Sequence, residues 1–116
     1  MIDIEQIDGL LNAAGADAAG AVLQAFWSST DDLVAMAASN LSVQDFDGLS
    51  SAAHAIKGAA ANVGAKEISE AARDMETAAR DRNAEDAAIA LERVREAVEP
   101  AKGAFDAHIQ QFREAS

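Results

Sequence analysis

Apolar residues recur three and four positions apart along almost the whole chain, and no run alternates with a period of two. Helices are the regular structure that can turn such spacing into a continuous buried face. Alanine supplies much of the 50% apolar fraction, and β-branched residues are scattered singly. One proline occurs in 116 residues. The apolar fraction is too high for a disordered chain, and the length suits one compact domain over residues 1–116 with a modest core. An all-α fold is expected.

Asp3 is placed to cap a short first helix, with Gln6 at the capping-box position and Ile4, Ile7, Leu10 and Leu11 on one side. Gly15 ends it. A second helix, capped by Asp17, runs to about Asn40 with the stripe Val22, Leu23, Phe26, Leu33, Met36 and Ala37. The polar run Ser28 to Asp32 is expected to loosen its middle. Ser42, Asp45 and Asp47 compete to start a third helix, which reaches about Val63 and stops at Gly64. Lys66 to about Asp81 forms a fourth, buried through Ile68, Ala72, Met75 and Ala79. Asn83, with Asp86 three residues on, marks the start of the last helix.

Pro100 lies inside this last segment, where it removes a backbone donor. The rhythm Leu91, Val94, Val98, Ala101, Phe105, Ile109 and Phe112 nevertheless continues on both sides of it. One helix kinked at Pro100 is expected rather than two. Long helices joined by short loops pack antiparallel, so the expected architecture is an up-down four-helix bundle with the first short helix closing one end.

The formal net charge of −11 would repel nucleic acid and anionic membranes. With no cysteine there is neither a disulfide framework nor thiolate chemistry. The N-terminus lacks the basic start and apolar core of a signal peptide, and no apolar stretch approaches the roughly 20 residues of a transmembrane helix. A soluble, cytoplasmic, monomeric protein is expected.

The third helix carries the chemistry. At about 100° per residue, Leu49, Ala52, Ala53, Ile56, Ala60 and Val63 form one stripe, and His54 points roughly 160° away from its centre. A buried histidine is excluded; a solvated one of no consequence is the plain alternative. Side chains on a helix lean toward its N-terminus, so the residue four places on covers the surface beside His54. That residue is Gly58. Glycine inside a helix is unfavourable by about 1 kcal/mol relative to alanine. Ser50, Ser51 and Ala61, on the same face, are small too. Lys57 lies on the same side, where an ammonium would attract phosphoryl oxygens, and a neutral imidazole nitrogen is a competent nucleophile toward phosphorus.

The run Ala53-His54-Ala55-Ile56-Lys57-Gly58, continued to Asn62-Val63-Gly64-Ala65, resembles the signature of histidine phosphotransfer (Hpt) domains, with Ile56 where leucine is usual. Weaker similarity extends to Phe26, Asp45 and Met75-Glu76 with Ala78-Ala79-Arg80. The resemblance implies that His54 is the phosphoacceptor, that Lys57 offsets phosphate charge and that Gly58 gives steric access. It also offers Glu76 as a side chain that hydrogen-bonds the inner ring nitrogen, with Arg80 as its partner. An ordinary exposed Glu76–Arg80 pair is the competing reading. His108 matches nothing in the signature. Trp27 is open between core and docking surface.

The implied activity is a phosphocarrier in a two-component phosphorelay, passing a phosphoryl group between receiver-domain aspartates of sensor kinases and response regulators. No cofactor is implied for this chain. Mg²⁺ is expected on the partner receiver, and with no phosphate-binding loop the chain has no ATP-dependent kinase activity of its own. The rival is an adaptor bundle that binds receivers without transferring phosphate. The start at Met1 and the bundle length favour a free-standing protein over a domain cut from a larger kinase.

Overall fold

A computed structural model describes residues 2–115, so the Met1 start lies outside it. Five helices account for nearly all of these residues: α1 Ile4–Ala14, α2 Ala16–Ser42, α3 Phe46–Val63, α4 Lys66–Arg80 and α5 Ala84–Ala115. There is no strand among the described residues. In space, α2 packs on α3 and α5, α4 also packs on both of these, and α1 lies against α2 and α3. Four helices thus close a ring around a core in which Leu49, Ile56, Ile68, Met75, Val94 and Phe105 are fully buried. The long dimension of 50 Å matches a helix of 32 residues, the length of α5. Among the described residues no helix is long and apolar enough to cross a membrane.

The ends of the helices follow their local chemistry. Asp3 caps α1 by accepting from the Glu5 N–H at 3.1 Å, although Gln6 returns no capping-box bond among the described residues. Asp45, rather than Ser42 or Asp47, caps α3, its carboxylate accepting from the Gly48 N–H at 3.0 Å. Asn83 caps α5 as its spacing implies, accepting from the Asp86 N–H at 3.0 Å. Gly64 closes α3 in the left-handed conformation, φ +84°, so that the Ala65 N–H reaches back to the Ala60 carbonyl. The same residue's carbonyl accepts from the Asp3 N–H at 2.7 Å, fastening the start of the chain to the α3–α4 junction.

The second helix departs from its sequence pattern. Gly15, φ +92°, occupies the cap position expected of Asp17, and α2 begins two residues earlier. Asp17 instead sits in the first turn, where its charge suits the positive end of the helix, and pairs with Arg113 at 2.9 Å. The polar run does not loosen the helix, which is continuous, because Thr30 faces inward and is buried with Trp27. Leu23, Phe26, Trp27, Thr30 and Ala37 set the buried direction. Val22 and Met36 fall roughly 80° and 120° from it and are exposed. In the last segment the helix runs unbroken past Pro100, with Leu91, Val94, Val98, Ala101, Phe105 and Ile109 buried along one face.

Candidate functional site

The α3 stripe from Phe46 to Val63 is buried against α2 and α4, and this fixes the rotation of the helix. His54 consequently stands outside, its side chain 68% exposed. Beside it, α4 turns Met75 and Ala79 into the core. Glu76 follows Met75 by one position and so lies at the margin of that face, beneath the histidine helix, where it is 3% exposed.

A buried carboxylate needs compensation, and three side chains supply it. His54 Nδ1 lies 2.9 Å from Glu76 Oε2. Lys57 Nζ donates to Oε1 at 2.7 Å, and Arg80 Nη2 donates to Oε2 at 3.2 Å. The Lys57 contact, with help from His54 and Arg80, holds the Glu76 carboxyl below its ordinary range against the opposing effect of burial. An ionised carboxylate can only accept, so the ring nitrogen facing it carries the hydrogen. The neutral imidazole then has its lone pair on Nε2, the nitrogen turned away from Glu76.

Sequence reasoning placed Lys57 against an incoming phosphoryl group; in the free protein its ammonium rests on Glu76. Glu76 and Arg80 are indeed a pair, but not an exposed one, since the carboxylate is buried and shared with His54 and Lys57. Around Gly58 there is open space: a Cβ added there would meet nothing within 4 Å. No packing within the chain therefore requires glycine at this position. Ser69 was not singled out from sequence. Its hydroxyl donates to the Lys57 carbonyl at 3.1 Å and ties α4 to the histidine helix. The available signal was its spacing of seven from Glu76, which puts both on one flank of α4.

Two other residues lie outside the site. Trp27 is core, 6% exposed, edge-on to Phe26 with ring centroids 4.7 Å apart. His108 is half-buried and pairs through Nε2 with Asp8, joining α5 to α1.

The network has a pH signature. A carboxyl held below its ordinary value of 4.5 contributes stability in full above that pH, and loses it as pH falls through the lowered native value. Glu76→Gln is expected to be less stable than the parent by about 2 kcal/mol at pH 7. The gap should close in acid, as the parent's own carboxyl takes up its proton. Urea melts of both proteins at pH 7 and near pH 3 check this; a gap of constant size would contradict it.

The family model for the Hpt domain matches residues 21–115. Two plant structures superpose on the fold. One is a rice protein assigned as a histidine-containing phosphotransfer protein, with TM-score 0.82 and 22% identity, covering 97% of this chain and 82% of that one. The other is the maize histidine-containing phosphotransfer protein ZmHP2, with TM-score 0.81 and 22% identity, covering 98% and 86%. At this identity the likeness is one of fold. No curated protein matches the sequence.

Proposed function

Because the chain belongs to the Hpt domain family, whose members work with receiver domains in phosphorelays, we propose that His54 is its phosphoacceptor. In this reading it carries the phosphoryl group between receiver aspartates of sensor kinases and response regulators. The observation that carries the reading is the pairing of an exposed imidazole with a buried, ionised Glu76 through Nδ1. That pairing leaves Nε2 outward with its lone pair.

Nε2 attacks the phosphorus of the partner's aspartyl phosphate in line. The N–P bond forms as the P–O bond to aspartate breaks, and the partner's carboxylate leaves. The hydrogen on Nδ1 stays in place, and Glu76 balances the positive charge that grows on the ring. The transition state is loose, so positioning and charge neutralisation supply most of the catalysis. Lys57 contributes positive charge at the transferring oxygens, and Mg²⁺ is supplied by the receiver. The reverse attack, by an aspartate of a second receiver on phosphohistidine, returns the chain to its starting state. The protein acts as a monomer in the cytoplasm and holds no cofactor of its own. The finer architecture that goes with this role is an up-down antiparallel bundle, supported by the short connections between α2, α3, α4 and α5; the missing backbone donor at Pro100 supports a kink in α5.

The test is direct. Wild-type protein mixed with phosphorylated receiver domains from its own source is expected to acquire an acid-labile, base-stable phosphoryl label, and His54→Gln is expected to acquire none. Failure to label with every receiver, or labelling of His54→Gln, would sink the assignment.

A further inference from the structure

The chain has 9 basic side chains against 20 acidic ones, so a cation without a carboxylate partner is unexpected. Lys57 and Arg80 pair with Glu76, Arg82 with Asp47, Arg93 with Asp74, Arg95 with Glu92, Lys102 with Glu99 and Arg113 with Asp17. The side chains of Lys66 and Arg73 have no ion-pair or hydrogen-bond partner among the described residues. Both are exposed and both lie on α4.

Their placement is ordered. Lys66, Arg73 and Arg80 are seven residues apart, so they fall within roughly 40° of one another on the helix. Ser69 and Glu76, the residues that touch α3, lie immediately to one side of this stripe. Glu70, Asp74 and Glu67 lie to the other side, roughly 40° to 100° round from Lys66. The exposed surface of α4 is therefore divided lengthwise, with its cations along the border with the histidine helix. Lys57, Lys66, Ser69 and Arg73 line one open groove there, with Asp3 and Glu70 also on its wall.

We propose that this basic edge of α4 is an electrostatic docking surface for the acidic rim of the partner receiver domain. The proposal rests on the phosphocarrier reading above and adds where the partner is guided and by which residues. A partner that presents an aspartyl phosphate and holds Mg²⁺ needs several carboxylates around that site, so its rim is negative. A carrier of net charge −11 repels such a surface in general. The α4 edge instead gathers Lys66 and Arg73 in the groove that also holds Lys57, three residues from His54. Charges at the rim of an interface act mainly on the rate of encounter and on its salt dependence.

The double variant Lys66→Glu with Arg73→Glu is expected to lower the second-order rate constant of transfer about tenfold at low ionic strength. The difference should shrink in high salt. The single-turnover rate at saturating receiver should be unchanged, because neither residue touches His54 or Glu76. The neutral pair Lys66→Gln with Arg73→Gln should fall between variant and parent, and circular dichroism should report the same helix content for all three. The control is Arg95→Glu with Arg113→Glu on α5, which changes the net charge equally and is expected to leave the rate within about twofold of the parent. Wild-type encounter rates in the α4 variant, or an equal loss in the α5 control, would overturn the docking edge while leaving His54 as phosphoacceptor. Absence of label on the parent protein would overturn both.

Discussion

Replacing Gly58 with leucine is expected to slow phosphoryl transfer by about a hundredfold while leaving helix content and thermal stability equal or higher. The two halves of this outcome have separate causes. Position 58 lies in the middle of α3, where leucine is the better helix former by somewhat under about 1 kcal/mol. The surrounding space is open, so the first added carbon meets nothing within 4 Å and folding has no reason to suffer. The side chain would lean toward His54, one turn earlier, and in the proposed reaction would stand beside Nε2, on the path of the partner's phosphorus. Displacement of reacting atoms by an ångström is enough for a loss of that size. Single-turnover transfer and a thermal melt, made on the same preparation, separate the effects. An unimpaired rate would mean that the glycine does not serve access. Alanine at 58 should give a smaller loss than leucine.

The largest effect on stability is expected one and a half turns further on. Gly64→Ala should cost about 3 kcal/mol, lowering the melting temperature by about 10 °C or more. Gly64 has φ +84°, a conformation that costs an L-residue roughly 1–2 kcal/mol. A Cβ at this position would also collide with the carbonyl oxygen of Asp3, whose N–H is bound to the Gly64 carbonyl. Either α1 moves away, giving up the burial of Ile7 and Leu11, or the α3–α4 junction opens. A melt within a degree or two of the parent would refute this account. The two glycines of the signature thus differ in kind: one is required by the chain's own backbone, the other by nothing inside the chain.

How much of this could be read from sequence depended on how pure each helical pattern is. The α3 stripe from Leu49 to Val63 is unbroken, so its rotation, and with it the exposure of His54, followed from the wheel alone. The α2 pattern is ambiguous because Val22 and Met36 are apolar yet exposed, whereas Thr30 is polar yet buried. Hydrophobicity alone ranks these residues in the wrong order, and tertiary packing by Trp27 and Phe105 decides. Glu76 has no apolar character to betray its burial. It entered through the family resemblance, and its depth depends on the packing of α4 against α3. The turns after α2 and α4 place Gln44 and Arg82 at φ 55°, a conformation usually announced by glycine. Neither residue type signals it. The basic edge of α4 was legible in principle, since a spacing of seven is visible in any helix, but its lack of partners is a property of the folded surface.

The bond between Lys57 and Glu76 has a consequence for the timing of order. A free lysine side chain samples many rotamers, and fixing it costs up to about 2 kcal/mol of entropy. Here the half-buried ammonium is already held at 2.7 Å from a buried carboxylate before any partner is present. That cost is met during folding rather than during transfer. In the proposed reaction the lysine needs only a short swing from carboxylate to phosphoryl oxygen, exchanging one anion for another. When the phosphoryl group leaves, Glu76 is waiting to take the cation back.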